Sequence, residues 1–314
     1  PDVNASMQYG HCTACAPASM AFTPSFLPRI LHVYFASWTS GAALVLSVSA
    51  WYLLKKRHVE VAKSMLKVGL FGFAFFGLVN FFFAGPQQAI EVTNYQPLKL
   101  ASMEGLWQTQ SCAPLFIVGW VNEAEQTTTG ISIPCLLSVL AYLNPQATVT
   151  GLEAFPPAEY PPINLLFQVY HYMFALGGVF VLIGLVGLLF FFWKRKVFAL
   201  RWLLGLFVLT VFFTESAIIA GWWTAEVGRQ PWIVYQVLPT AQAVSPVLSA
   251  TDATLSLAMF LVLYALLFVV FLYLLNGKIQ QGPEELVEVE SVPVSSLPDT
   301  FRQVFRRRGP GLTR

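Results

Sequence analysis

Five stretches of this chain are each apolar for about the 20 residues that a helix needs to cross a bilayer core. They run from about Ile30 to Leu54, Val68 to Ala84, Ile163 to Trp193, Phe198 to Trp223 and Leu255 to Leu275. A chain with five such segments cannot keep them in water. The expected fold is therefore all-α: a polytopic transmembrane helix bundle of five spans. Composition agrees, because only 11% of residues are charged, against roughly 25% in a soluble domain. A formal net charge of +2 gives no reason to expect a nucleic-acid partner. At 31 residues the third stretch exceeds the core thickness, so it tilts or projects beyond it. The chain opens on Pro1, not Met, with no signal peptide ahead of the first span. It reads as a fragment or a processed chain whose N-terminal part is missing.

Orientation follows from the basic residues of the short loops. Lys55, Lys56, Arg57 and Lys63 follow the first span. Lys194, Arg195, Lys196 and Arg201 lie between the third and fourth, and Lys278, Arg302, Arg306, Arg307, Arg308 and Arg314 follow the fifth. Alternation puts all three groups on one side, which should be the cytoplasm. The expected organisation is an extracytoplasmic N-terminal segment (1–29), two spans (30–84), a long extracytoplasmic loop (85–162), three spans (163–275) and a disordered cytoplasmic tail (276–314). The tail from Gly282 onward is polar, first acidic and then basic.

Ionisable groups inside spans are costly and are functional candidates by default. His32 stands in the first span, His171 in the third with Met173 beside it, Glu215 in the fourth, and Glu226 closes the fourth. At 1.5 Å per residue, His32 lies about 34 Å from Lys55, Met173 about 31 Å from Lys194 and Glu226 about 37 Å from Arg201. All three sit near the outer face. A His and a Met at matching depth on two helices could clamp a haem iron from both sides. The plainer reading is a hydrogen-bonded interhelical His and a packing Met. Residues 171 and 173 are about 200° apart on a helix, so both cannot face one haem. Ligand chemistry alone favours His171, and the residues leave that choice open.

After the fourth span the chain reads Gly221-Trp222-Trp223-Thr224-Ala225-Glu226-Val227-Gly228-Arg229-Gln230-Pro231-Trp232, then Val237-Leu238-Pro239-Thr240. The outer loop carries Lys99-Leu100-Ala101-Ser102-Met103-Glu104 with Trp107 and Gln110, and the first span His32 with Gly41-Ala42 and Ser49-Ala50-Trp51-Tyr52. With Met173, these strings resemble subunit I of cytochrome bd-type quinol oxidases, over nearly the whole chain except the tail and the first thirty residues. The long GWxxAExGRQPW string is the specific part.

The resemblance implies that the outer loop is a quinol-binding loop in which Lys99 and Glu104 contact the quinol. It implies His32 and Met173 as axial ligands of a low-spin haem b, Glu226 as a ligand or neighbour of a high-spin haem b, Arg229 as a charge offset, and Trp222 between the haems. It thereby favours Met173 over His171. One departure is His171 itself, where the family pattern usually has Arg. The family subunit has nine spans and these resemble the last five, so the high-spin haem b and the haem d would be shared with a missing N-terminal part. Implied partners are quinol, oxygen, the lipid bilayer, a second large subunit and a small single-helix subunit, in a prokaryotic cytoplasmic membrane. Electrons would pass from quinol at the outer face through haem b to an oxygen-reducing haem, contributing to the proton motive force. Without the resemblance, Lys99 and Glu104 read as a solvated loop ion pair. The competing classes are a diverged haem b electron carrier and a non-enzymatic membrane scaffold or transporter.

Four cysteines, Cys12, Cys15, Cys112 and Cys135, all fall in expected outer segments. Disulfides persist in such compartments, and Cys112 with Cys135 across the loop is one of the pairings open to them. The rival reading takes His11-Cys12-Thr13-Ala14-Cys15 as a metal or redox site.

Overall fold

A computed structural model of the chain describes residues 23–193, 196–245 and 247–283. Cys12, Cys15 and the His11 motif, as well as the tail from 284, lie outside the described residues. Five helices are long and apolar enough to cross a membrane. They are α1 (Phe26–Lys55), α2 (Val59–Val79, prolonged to Tyr95), α6 (Ile163–Phe192), α7 (Arg201–Val227) and α8 (Ala250–Gln281).

The second span shows the largest difference from the pattern. Gly85-Pro86 reads as a helix end, yet the helix continues as α3 (Gly85–Tyr95). A π-turn over Asn80–Ala84 makes this possible: the Gly85 N–H reaches back to the Asn80 carbonyl. The wider turn falls directly ahead of Pro86, whose ring and missing N–H would otherwise interrupt a regular i→i−4 ladder.

Helix α1 packs on α2 and α7, and α6 also packs on α2 and α7, which closes a four-helix ring. Its core includes Leu46, Leu66, Leu70, Phe73, Ile183 and Phe207. Small residues set the closest approaches, as expected between helices in lipid. A Cβ on Gly69 would stand 2.8 Å from the Leu46 backbone nitrogen, and one on Gly184 3.0 Å from the Ala74 Cα. Helix α8 buries none of its residues, and its C-terminal part from Val270 belongs to a second compact unit.

The connection between the second and third spans is itself a folded cap. It holds α4 (Pro97–Glu104), β1 (Gln110–Ser111), β2 (Leu115–Asn122), β3 (Thr127–Ile133), α5 (Leu136–Tyr142) and β4 (Thr148–Val149). Strand β1 pairs antiparallel with β4, and β2 with β3. Two apolar clusters fasten the cap to the start of α6, one through Leu166 and one through Ile163 and Phe167. A disulfide joins Cys112 to Cys135 across the hairpin. After α7, the short strands β5 (Trp232–Val234) and β6 (Leu238–Pro239) pair antiparallel.

Candidate functional site

Helix α4 spans little more than two turns, and its two candidate residues leave it in different directions. Five residues separate Lys99 from Glu104, about 140° around the helix. Glu104 points inward and is 1% exposed. Gly105 ends the helix in the left-handed region at φ 59°, where a Cβ would stand 2.7 Å from the Thr128 hydroxyl. No larger residue fits that turn. Around the Glu104 carboxyl stand His171 Nε2, 3.7 Å from Oε2, and the Tyr170 hydroxyl. Burial pushes the Glu104 carboxyl up to about 8, with Tyr170 pulling weakly the other way. A carboxyl so placed holds a proton at neutral pH and can exchange it.

Lys99 leans instead on the end of α7. Its Nζ donates to the Ala225 carbonyl at 3.3 Å. A Cβ on Gly228 would come 2.7 Å from the Lys99 Cε, so this glycine makes room for the side chain. Burial, with Arg29 and then Arg229 against it, pushes the Lys99 amine down to about 8, while Glu226 favours its charge. The two α4 side chains therefore do not form a solvated ion pair. One is buried under the cap and the other joins a charged group with Arg29, Glu226 and Arg229.

Glu226 and Arg229 are bound to each other at 2.7 Å, both partly exposed. Trp222 stands one turn earlier on α7 and is largely exposed. The string that follows is closed on itself. The Thr240 hydroxyl donates to Gln230 Oε1 at 3.0 Å and to the Pro231 carbonyl at 2.9 Å, and the Thr240 N–H reaches the same carbonyl at 2.7 Å. Arg-Gln-Pro-Trp and the later Leu-Pro-Thr are thus two halves of one turn.

The third-span residues separate as helical geometry requires. His171 is buried on the cap side. Its Nδ1 donates to the Phe167 carbonyl at 2.8 Å and its ring stacks on Phe167 at 3.9 Å. Met173 lies on another side, with its Sδ against Gly221 of α7. A Cβ there would stand 2.9 Å from the sulfur, so the thioether lies in a cradle that only glycine leaves open. His32 on α1 has its Nδ1 enclosed without a hydrogen bond of ordinary geometry; Asn80 of the π-turn is its polar neighbour. A Cβ on Gly85 would be 3.9 Å from the His32 ring. Phe81, in the same turn, stacks on Phe174 beside Met173 at 5.4 Å. One turn of α2 thus touches both His32 and Phe174, the residue after Met173.

Tyr170, Asn80 and Arg29 were not singled out from the sequence. None has a distinctive local pattern, and each matters only through a contact made on folding. Deeper in the bundle, the Ser40 hydroxyl donates to Glu215 across α1 and α7. Among the described residues no group of three or more His, Cys, Asp or Glu could hold a metal ion. A metal here would need a group that brings most of its own ligands.

Fold and site together define an integral membrane protein whose folded cap packs on the ends of its helices and buries titratable groups there. The chain belongs to the family described as cytochrome bd terminal oxidase subunit I, whose model matches residues 3–283. It is 32% identical over 291 residues to a Bacillus subtilis (strain 168) protein named cytochrome bd ubiquinol oxidase subunit 1, covering 88% of this chain and 60% of that one. A second protein of the same strain, a putative cytochrome bd menaquinol oxidase subunit I, is 32% identical over 291 residues, covering 90% and 64%. The cytochrome bd-II ubiquinol oxidase subunit 1 of Escherichia coli (strain K12) is 26% identical over 336 residues, covering 86% and 65%. The solved bd oxidase from Geobacillus thermodenitrificans superposes with a TM-score of 0.76 at 30% identity, over 83% of this chain and 60% of that one. The chain thus spans less than two thirds of the length of each.

Proposed function

We propose that this chain is the haem-bearing C-terminal part of subunit I of a cytochrome bd-type quinol:oxygen oxidoreductase. In this reading the cap (85–162) is the quinol-binding loop on the outer face, the N-terminal segment is also outside, and the C-terminus is cytoplasmic. The observation that carries the reading is the buried Glu104 carboxyl beside His171 and Tyr170, with Lys99 of the same short helix held against the end of α7.

Quinol oxidation delivers two electrons and two protons. In its ionised form, a carboxyl with a pKa of about 8 is suited to take one of those protons, because proton transfer is most efficient when donor and acceptor are matched to the working pH. Lys99 orients the ring end of the substrate through its ammonium donors. Releasing both protons on the outer face, while protons for water are drawn from the cytoplasm, contributes to the proton motive force.

The residues fit a haem. Met173 has its sulfur in the Gly221 cradle, and His32 has a buried ring nitrogen, Nδ1, that no hydrogen bond of ordinary geometry satisfies. His32 and Met173 would hold a low-spin haem b. Glu226 would ligate or neighbour a high-spin haem b, with Arg229 offsetting its charge and Trp222 between the haems. When bound, the low-spin haem supplies one-electron transfer without an open site for oxygen. An oxygen-reducing haem d would be shared with a missing N-terminal part, and a second large subunit with a small single-helix subunit would complete the assembly.

Reduced-minus-oxidised absorption spectra of the intact complex test this. Low-spin haem b and chlorin-type bands that respond to added quinol are the expected result. Absence of haem bands would leave a scaffold or transporter, and haem b bands without oxygen consumption would leave an electron carrier.

A further inference from the structure

The hairpin β2–β3 has one face inside the cap and one outside. On the inner face Val121 is buried, the Thr128 hydroxyl donates to the Gly105 carbonyl at 2.7 Å, and a Cβ on Gly119 would stand 3.1 Å from the Phe167 ring. The outer face is apolar. Val118 pairs with Ile131 across the ladder and Trp120 with Thr129. These three hydrophobic side chains are 67%, 71% and 62% exposed for Val118, Ile131 and Trp120. Ile117 and Ile133 extend the patch along the same two strands. Neither strand carries a charged residue, and the carboxylates Glu123 and Glu125 are confined to the turn. Two-stranded and unpaired beyond its own ladder, such a face would promote aggregation if left in water.

The hairpin is fastened to α6 at a definite height. Gln168 Nε2 donates to the Gly119 carbonyl at 2.9 Å, and Asn164 Oδ1 accepts from the Val121 N–H at 3.4 Å. With its 30 residues, α6 is about 45 Å long, against about 30 Å for the hydrocarbon core. Counting from Phe192, beside the aromatic Trp193, the core ends about 20 residues along, near Tyr172. Gln168 then lies about 6 Å above that boundary, in the headgroup zone, which is roughly 5–7 Å thick on each side. A Trp at this level is the residue of the membrane-interface aromatic belt, and the apolar Val118 and Ile131 beside it can enter the acyl boundary below.

We infer that the outer face of the β2–β3 hairpin, formed by Val118, Trp120 and Ile131, rests in the headgroup–acyl boundary of the bilayer and anchors the cap to the lipid surface. The inference needs α6 to span the membrane and nothing from the quinol assignment. Docked there, the hairpin would hold Gly105, and so the end of α4, at a constant height above the core.

The test is photocrosslinking in the intact complex, in nanodiscs of phosphatidylethanolamine and phosphatidylglycerol. The photoreactive p-benzoylphenylalanine replaces Ile131, or separately Val118, with the turn residue Glu125 as reference. Lipid adducts at either face position, several-fold above the yield at Glu125, are the expected result by mass spectrometry. Three results would overturn it: adducts to another polypeptide, which would make the face a subunit interface; no adduct at either position, which would leave it in water; or equal lipid yield at Glu125.

Discussion

Replacing Glu104 by Gln keeps the shape of the side chain and removes its ionisation. An exposed glutamate loses its proton near 4.5, whereas burial holds Glu104 to about 8. Between these values the folded protein binds a proton that the unfolded chain has released, so stability falls as pH rises. Below 4.5 both states are protonated and the carboxyl costs nothing on this account. By pH 7 the cost has grown to about 3 kcal/mol, and it levels off near 5 kcal/mol above pH 8. The Gln variant does not pay it. Amide exchange in residues 97–106, followed in the intact complex from pH 5 to 9, should accelerate with pH in the wild type beyond the intrinsic chemical trend. It should follow only the intrinsic trend in Glu104→Gln. Activity should move oppositely. Quinol oxidation by the wild type should rise as pH passes through about 8 and the carboxylate forms. The variant should lose roughly 10²–10⁴ in rate, the usual contribution of a positioned base, together with that limb of the profile. A variant that keeps the wild-type rate and pH limb would refute the assignment of Glu104 as proton acceptor. Matching exchange profiles would refute the burial argument separately.

Other perturbations probe the rest of the site. Met173→Leu should remove the low-spin haem spectrum while leaving the fold, as judged by circular dichroism; a wild-type spectrum would transfer the ligand role to His171. Glu215→Gln can still accept from Ser40, so oxygen consumption and proton uptake should stay close to those of the wild type; a large loss of proton uptake would make Glu215 part of a proton path. Opening the Cys112–Cys135 disulfide, with its separation of 23 residues, should cost the cap roughly 3 kcal/mol. Limited proteolysis between residues 112 and 135 should therefore quicken in Cys135→Ala, and unchanged cleavage would show that the hairpin holds without it.

Much of this protein follows from one-dimensional information. Hydrophobic runs of bilayer length determine five helices, because backbone N–H and C=O groups in lipid must bond within their own segment. Helical periodicity alone separates His171 from Met173, and the structure has the first under Phe167 and the second against Gly221. What the sequence left open concerns contacts between distant segments. The second helix passes through Gly85-Pro86 because a π-turn realigns its ladder, and no run of residues announces that turn. Lys99 and Glu104 share one short helix, yet one is pressed on the end of α7 and the other is sealed against α6. Cys112 has several possible partners in the sequence, and the folded hairpin is what sets it against Cys135. Burial, the cause of both shifted ionisations, is a property of what packs around a side chain, and that is decided only when residues far apart in the chain are brought together.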